Sequence, residues 1–181
     1  MAGSNRQERA WVRGARDGSA ADLEALFREH WPRAYRAAYL VVHDAAAAED
    51  IAQEAFLAAL RALDRFDRRR PFGPWLHRIV VNRAIDWARA RALRAEVSAD
   101  GTLERAAARE RPREGDTDAR ALAGGLRKLS PEHRAVIVLR HLLEYTPGEI
   151  AELLELPRGT VNSRLRRGLD ELRETIGEEL R

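Results

Sequence analysis

Thr146-Pro147-Gly148-Glu149-Ile150-Ala151-Glu152-Leu153-Leu154-Glu155-Leu156-Pro157-Arg158-Gly159-Thr160-Val161-Asn162-Ser163-Arg164-Leu165-Arg166-Arg167 is the stretch on which the fold turns. Thr146 and Glu149 have the spacing of a capping box, and Pro147 occupies the first helical position. A short helix over 147–154 then carries Ile150, Ala151, Leu153 and Leu154. Residues 155–159 read as a turn, and Thr160 opens a second helix. On that helix Val161, Leu165, Gly168, Leu169 and Leu172 share one face, while Thr160, Asn162, Ser163, Arg166 and Arg167 point away. This is the spacing of a helix-turn-helix. The N-terminal residues of its second helix enter the major groove, where arginine bonds guanine and serine or asparagine bonds base edges or phosphates. Glu155 stands where the turn often has glycine; a positive φ there costs on the order of 1 kcal/mol. The plainer alternative is an αα-hairpin with a solvated basic face. The cap, the turn and the first-turn arginines together favour DNA.

Upstream, Ser130-Pro131 is a helix start followed by Val136, Ile137, Leu139 and Leu142, and Leu122–Leu129 has helical periodicity. Residues 96–118 hold seven carboxylates against four arginines and almost no large apolar side chain, the composition of a flexible acidic linker. Before it, a short helix is expected around Arg6–Arg16. Ser19 caps a helix over about 20–42, in which Pro32 predicts a kink or a break. Asp44 caps a second helix ending near Phe66. Residues 67–74, with two prolines and a glycine, read as a loop, and a third helix runs from Trp75 to about Ala95. The expected fold is all-α: a helical domain at 1–95, a linker at 96–118 and a helix-turn-helix domain at 119–181.

The formal net charge is only +3, yet charged residues make up 34% of the chain, so the placement of charge is the informative quantity. Between Arg61 and Arg94, ten arginines face three acids. On the helix after the loop, Trp75, Arg78, Asn82, Asp86 and Arg89 form one stripe. Arginines beside aromatics suit single-stranded nucleic acid, where bases stack and phosphates are neutralised. Phe72 and Trp75 fit either base stacking or the core. On the preceding helix, Ile51, Ala52, Ala55, Phe56 and Ala59 make a broad apolar face. Asp50, Gln53, Glu54 and Arg61 lie opposite, with Leu57 in their midst, which suggests a protein-docking surface.

Other classes are disfavoured. There is no cysteine, and His30, His43, His77, His133 and His141 show no ligand spacing and read as surface or half-buried side chains. No phosphate-binding loop, zinc-protease or nucleophile-elbow pattern occurs, so neither an enzyme nor a cofactor is expected. No apolar run is long enough to span a membrane, and the expected location is the cytoplasm.

With these features in order, the chain resembles bacterial RNA polymerase sigma factors of the sigma-70 superfamily, in the extracytoplasmic-function (ECF) group. The residues that carry the resemblance are Glu49–Phe56, Trp75–Ile79 with Asn82–Asp86, Glu149–Ala151 and Gly159–Leu165. It implies that Asp50, Gln53, Glu54, Leu57 and Arg61 bind core RNA polymerase. It implies that Arg68, Arg69, Arg70, Phe72, Trp75, Arg78, Asn82, Arg83 and Arg89 hold melted −10 DNA. Arg158, Thr160, Asn162, Ser163, Arg164, Arg166 and Arg167 would then read the −35 duplex. The acidic linker would lie in the polymerase's RNA channel, and an anti-sigma factor is an expected further partner. Asn162, where the family often has a basic residue, bears on the −35 sequence preference. The alternative is a stand-alone helix-turn-helix regulator with a sensing or dimerising N-terminal domain. It leaves the basic segment 61–94 without a role.

Overall fold

Local side-chain caps set four of the eight α-helix starts in the computed structural model, which describes residues 2–67, 69–97 and 117–179. Ser19 Oγ accepts the Asp22 N–H at 3.3 Å, Asp44 Oδ1 that of Ala47 at 3.0 Å, and Ser130 Oγ that of His133 at 3.2 Å. Thr146 and Glu149 close the capping box: Thr146 Oγ1 accepts the Glu149 N–H at 3.3 Å, and Glu149 Oε2 accepts the Thr146 N–H at 2.8 Å. The helices are α1 (Ala2–Arg16), α2 (Ala20–Val42), α3 (Ala45–Arg61), α4 (Phe72–Val97), α5 (Thr117–Lys128), α6 (Pro131–His141), α7 (Pro147–Leu154) and α8 (Arg158–Glu179). A single 3₁₀ turn, Leu63–Arg65, follows α3. No strand occurs among the described residues. The linker expected at 96–118 lies almost entirely outside them.

The structure revises several of these readings: α3 ends at Arg61 rather than near Phe66, and α5 starts at Thr117 rather than Leu122. Pro32 neither breaks nor ends α2. It sits on the exposed side, as does Arg28 one turn earlier, so the carbonyl that loses its N–H partner faces water while the opposite face is held by packing. α4 starts at Phe72 rather than Trp75, because Gly73 and Pro74 fall in the first turn, where N–H groups have no helical acceptor. α8 starts at Arg158 rather than Thr160, with the Pro157 carbonyl accepting from both Thr160 and Val161.

α2 is the hub of the first domain, packing on α1, α3 and α4. Its Ala34, Ala37, Ala38 and Val41 are fully buried, as are Ala48, Ala52, Ala55 and Ala59 of α3 and Val80, Val81 and Ala84 of α4. In the second domain α5, α6 and α7 pack on α8. Val136, Leu139, Ile150 and Val161 form the floor of that core. The domains also touch: α6 lies against α2 and α4, and α7 against α4. Arg134 of α6 reaches across to donate to the Val41 carbonyl at the end of α2, at 2.5 Å.

The capping box gives a direct check. Thr146→Ala is expected to cost about 1 kcal/mol of stability, read from urea or thermal unfolding, with helix content otherwise unchanged.

Candidate nucleic-acid interface

Three surfaces carry the candidate residues. The first is the outer side of α3, where Asp50, Gln53, Glu54 and Arg61 are exposed. Leu57 is 50% exposed and borders an apolar groove between α2 and α3, lined by Leu23, Phe27, Phe56 and Leu60. Phe27 is itself 41% exposed and stacks on Trp31, with ring centroids 4.8 Å apart. Leu23 and Phe27 lie one turn apart on α2. Their position facing Leu57 depends on how α2 and α3 cross.

The second surface is the start of α4 and the loop before it. Arg69 and Arg70 are exposed; Arg68 lies outside the described residues. Phe72, expected among the −10 residues, is 1% exposed and packs against His30, Phe66 and Trp75. It is a core residue, because the α4 start turns its ring inward. Trp75 is half-buried with its ring 4.6 Å from that of Phe66, and one side borders a cleft with Arg70, Pro71 and Arg78. Arg83, expected among the −10 residues, pairs with Glu54 of α3 at 2.7 Å.

The far wall of that cleft comes from the other domain: Tyr145, Glu149, Glu152 and Leu153. Arg78 pairs with Glu155 at 2.5 Å, and Arg89 with Glu132 at 2.6 Å. Asn82, Asp86 and Arg89 share a second cleft with Glu132 and Arg164. Carboxylates of α6, α7 and the following turn thus occupy positions opposite the α4 arginines. At one end of the contact, the Tyr145 hydroxyl and His77 Nδ1 share a hydrogen bond at 2.7 Å. His77 is 5% exposed, and His30 is buried as well, against the surface or half-buried positions expected for the histidines. Burial, with help from His30 and Arg33 and opposed by Glu8, pulls the His77 pKa down to about 4. Burial and the Arg134 and Arg127 charges do the same to His43, also to about 4. Burial raises the Tyr145 hydroxyl above its usual value, so it stays protonated.

The third surface is the start of α8. Glu155 adopts φ 55°, the left-handed turn expected of it. Arg158, Asn162, Arg166 and Arg167 are exposed, and Thr160 and Ser163 are half-buried. Arg164 faces the cleft shared with α4. Val161, Leu165, Gly168 and Leu172 are buried beneath them. No group of histidine, aspartate or glutamate suited to a metal ion occurs among the described residues.

Comparison with known proteins resolves what these surfaces belong to. Residues 26–94 match sigma-70 region 2, and residues 119–172 match sigma-70 region 4. The ECF RNA polymerase sigma factor SigW of Bacillus subtilis is 34% identical over 172 residues, covering 86% of this chain and 88% of SigW. The RNA polymerase sigma factor CarQ of Myxococcus xanthus is 34% identical over 165 residues, covering 90% and 94%. The chain belongs to the sigma-70 family, in its ECF group. Among solved structures it is similar to CnrH, determined in complex with the cytosolic domain of CnrY. The TM-score is 0.70 at 29% identity, covering 95% of this chain and 98% of CnrH. The sigma factor RpoE of Bartonella quintana shares the fold, with a TM-score of 0.72 over 86% of this chain and 97% of RpoE.

The sigma factor is therefore a transcription initiation factor and not an enzyme: it binds core RNA polymerase and directs promoter recognition and melting. Because the matches span both domains, the stand-alone regulator does not account for the chain. No helix among the described residues is long and apolar enough to cross a membrane.

Two outcomes follow from the burial pattern. Phe72→Leu is expected to lower stability by about 1 kcal/mol while leaving affinity for single-stranded DNA unchanged. Folded-state pKa values near 4 for His43 and His77 lie below the unfolded 6.5. Stability is thus complete above pH 6.5 and falls as pH drops toward 4, by up to roughly 1.4 kcal/mol per pH unit for each ring. Melting temperature against pH, with His77→Gln flattening the curve, checks it.

Proposed function

We propose that the three surfaces divide the work of initiation. Asp50, Gln53, Glu54, Leu57 and Arg61 dock on core polymerase. The Arg68–Arg70 loop with Trp75, Arg78, Asn82, Arg83 and Arg89 captures the melted −10 strand, with an extruded base held beside the stripe. Arg158, Thr160, Asn162, Ser163, Arg164, Arg166 and Arg167 read the −35 duplex. The observation that carries the docking assignment is the half-exposed Leu57 in an apolar groove flanked by carboxylates. Such a groove buries apolar area against a partner while the acidic rim orients it. Phe27 extends the same groove and joins the docking set.

The promoter-binding part of the proposal requires the domains to separate. With Arg78 on Glu155 and Arg89 on Glu132, carboxylates sit where phosphates would bind. Opening exchanges these exposed pairs, each worth little in water, for phosphate contacts that release counterions. Residues 1–95 then act as the polymerase and −10 domain and 119–181 as the −35 domain, with the acidic segment 96–118 following the RNA path between them. The site of action is the cytoplasm. An anti-sigma factor is a further proposed partner; the similar protein CnrH was solved with the cytosolic domain of CnrY bound.

Leu57→Ala and Asp50→Arg are expected to weaken binding to core polymerase about tenfold or more, without lowering the melting temperature. Arg166→Ala and Arg167→Ala leave core binding intact. Each weakens binding to a −35 duplex and lowers the magnitude of the salt slope by about 1. Loss of core binding in the arginine variants would overturn this division.

A further inference from the structure

α4 begins directly after Pro71, which has no side-chain acceptor to cap a helix. Its cap comes instead from another helix, more than sixty residues earlier in the chain. Glu8 of α1 accepts the Phe72 N–H through Oε2 at 3.1 Å and the Gly73 N–H through Oε1 at 3.3 Å. The same Oε1 lies 3.0 Å from His30 Nε2, and both side chains are largely withdrawn from solvent. The fit is close: a Cβ on Gly73 would sit 3.1 Å from His30 Cε1. Burial by itself would raise the Glu8 carboxyl, but the His30 ring and the two N–H groups outweigh it, so its pKa lies below the ordinary carboxylate value. Glu8 is therefore a charged cap at the positive end of α4. α1 lies outside the segment that matches sigma-70 region 2, which begins at residue 26.

We infer that Glu8 is a positioning residue for promoter melting: its carboxylate pins the first turn of α4 and so fixes the arginine loop and Trp75 in the geometry that receives the −10 strand. This rests on the reading of that loop and stripe as the −10 surface. The loop's upstream side is held locally, with Asp67 Oδ1 accepting the Arg69 N–H at 3.0 Å and the Asp67 carbonyl accepting that of Arg70 at 2.9 Å. Its downstream side has Glu8. Removing the carboxylate leaves two N–H groups at a helix end without an acceptor, and that turn frays first. Trp75 lies in the turn and Arg70 just before it. The fully buried Leu76, Val80 and Val81 hold the rest of α4, and the Leu57 groove is formed by other helices.

The test uses holoenzyme assembled with core polymerase and a promoter selected in vitro with the wild-type protein, at a temperature where every variant is folded. Two quantities are measured: affinity for core polymerase, and affinity of the holoenzyme for the fluorescently labelled single-stranded −10 segment. Glu8→Ala is expected to leave the first unchanged and weaken the second about tenfold. Glu8→Gln, whose amide oxygen still accepts an N–H but carries no charge, falls between. An unchanged strand affinity in Glu8→Ala, with Arg78→Ala still weakening it, overturns the inference. A parallel loss of both affinities also overturns it, since Glu8 would then only support the fold. If Arg78→Ala has no effect on strand affinity either, the −10 reading itself is wrong.

Discussion

The structure depends on close approach of helices at an alanine-lined seam. Ala34, Ala37 and Ala38 on α2 and Ala48, Ala52, Ala55 and Ala59 on α3 are all fully buried, at helical spacing. Side chains this small let two backbones pack tightly, and dispersion then acts over the length of both helices. The consequence is geometric. With its alanine face turned inward, α3 must present Asp50, Gln53, Glu54 and Leu57 outward. The larger Leu23, Phe27, Phe56 and Leu60 at one end of the seam leave a groove rather than a closed contact. The proposed docking surface is thus a product of the same packing that stabilises the domain.

The second theme is charge carried from one element to the end of another. Glu8 closes the N-terminus of α4, and Arg134 closes the C-terminus of α2. Each places the sign that the helix dipole favours. Each also ties together parts of the chain far apart in sequence. The Arg134 contact joins the two domains, and the His77–Tyr145 hydrogen bond and the Arg78 and Arg89 ion pairs lie along the same boundary. Dry contacts hold the ends of α2 and α4, whereas wetter ion pairs cover the proposed nucleic-acid stripe. The contacts over the stripe are the ones that can exchange for phosphates at little cost.

Local chemistry was legible wherever a helix is specified by its own neighbours. Ser19, Asp44, Ser130 and Thr146 cap the helices they were expected to cap, and the buried and exposed faces of α8 separate as the periodicity indicated. Glu155 takes up the left-handed turn that its place in the motif required. Pro32 does not break α2, because a proline on a solvated face frees a carbonyl that water can satisfy, and no local pattern reveals which face is solvated. Phe72 misled because a single aromatic after an arginine run is compatible with stacking on a base or on Phe66. Only the inward turn of the first residues of α4 distinguishes them.

What the chain determined by itself is the set of helices, the helix-turn-helix and the three surfaces with their charges, since these follow from periodicities and caps within a few residues. What only the tertiary structure decided is how those surfaces are completed and covered. The Leu57 groove needs Phe27 from α2, Phe72 goes to the core, Arg83 pairs with Glu54, and α4 takes its cap from Glu8. The α4 arginines meet Glu132 and Glu155 from the opposite domain. The physical reason is the same in each case. These energies belong to pairs brought together by packing across 29 to 93 positions of sequence, and a separation that long leaves no local signature.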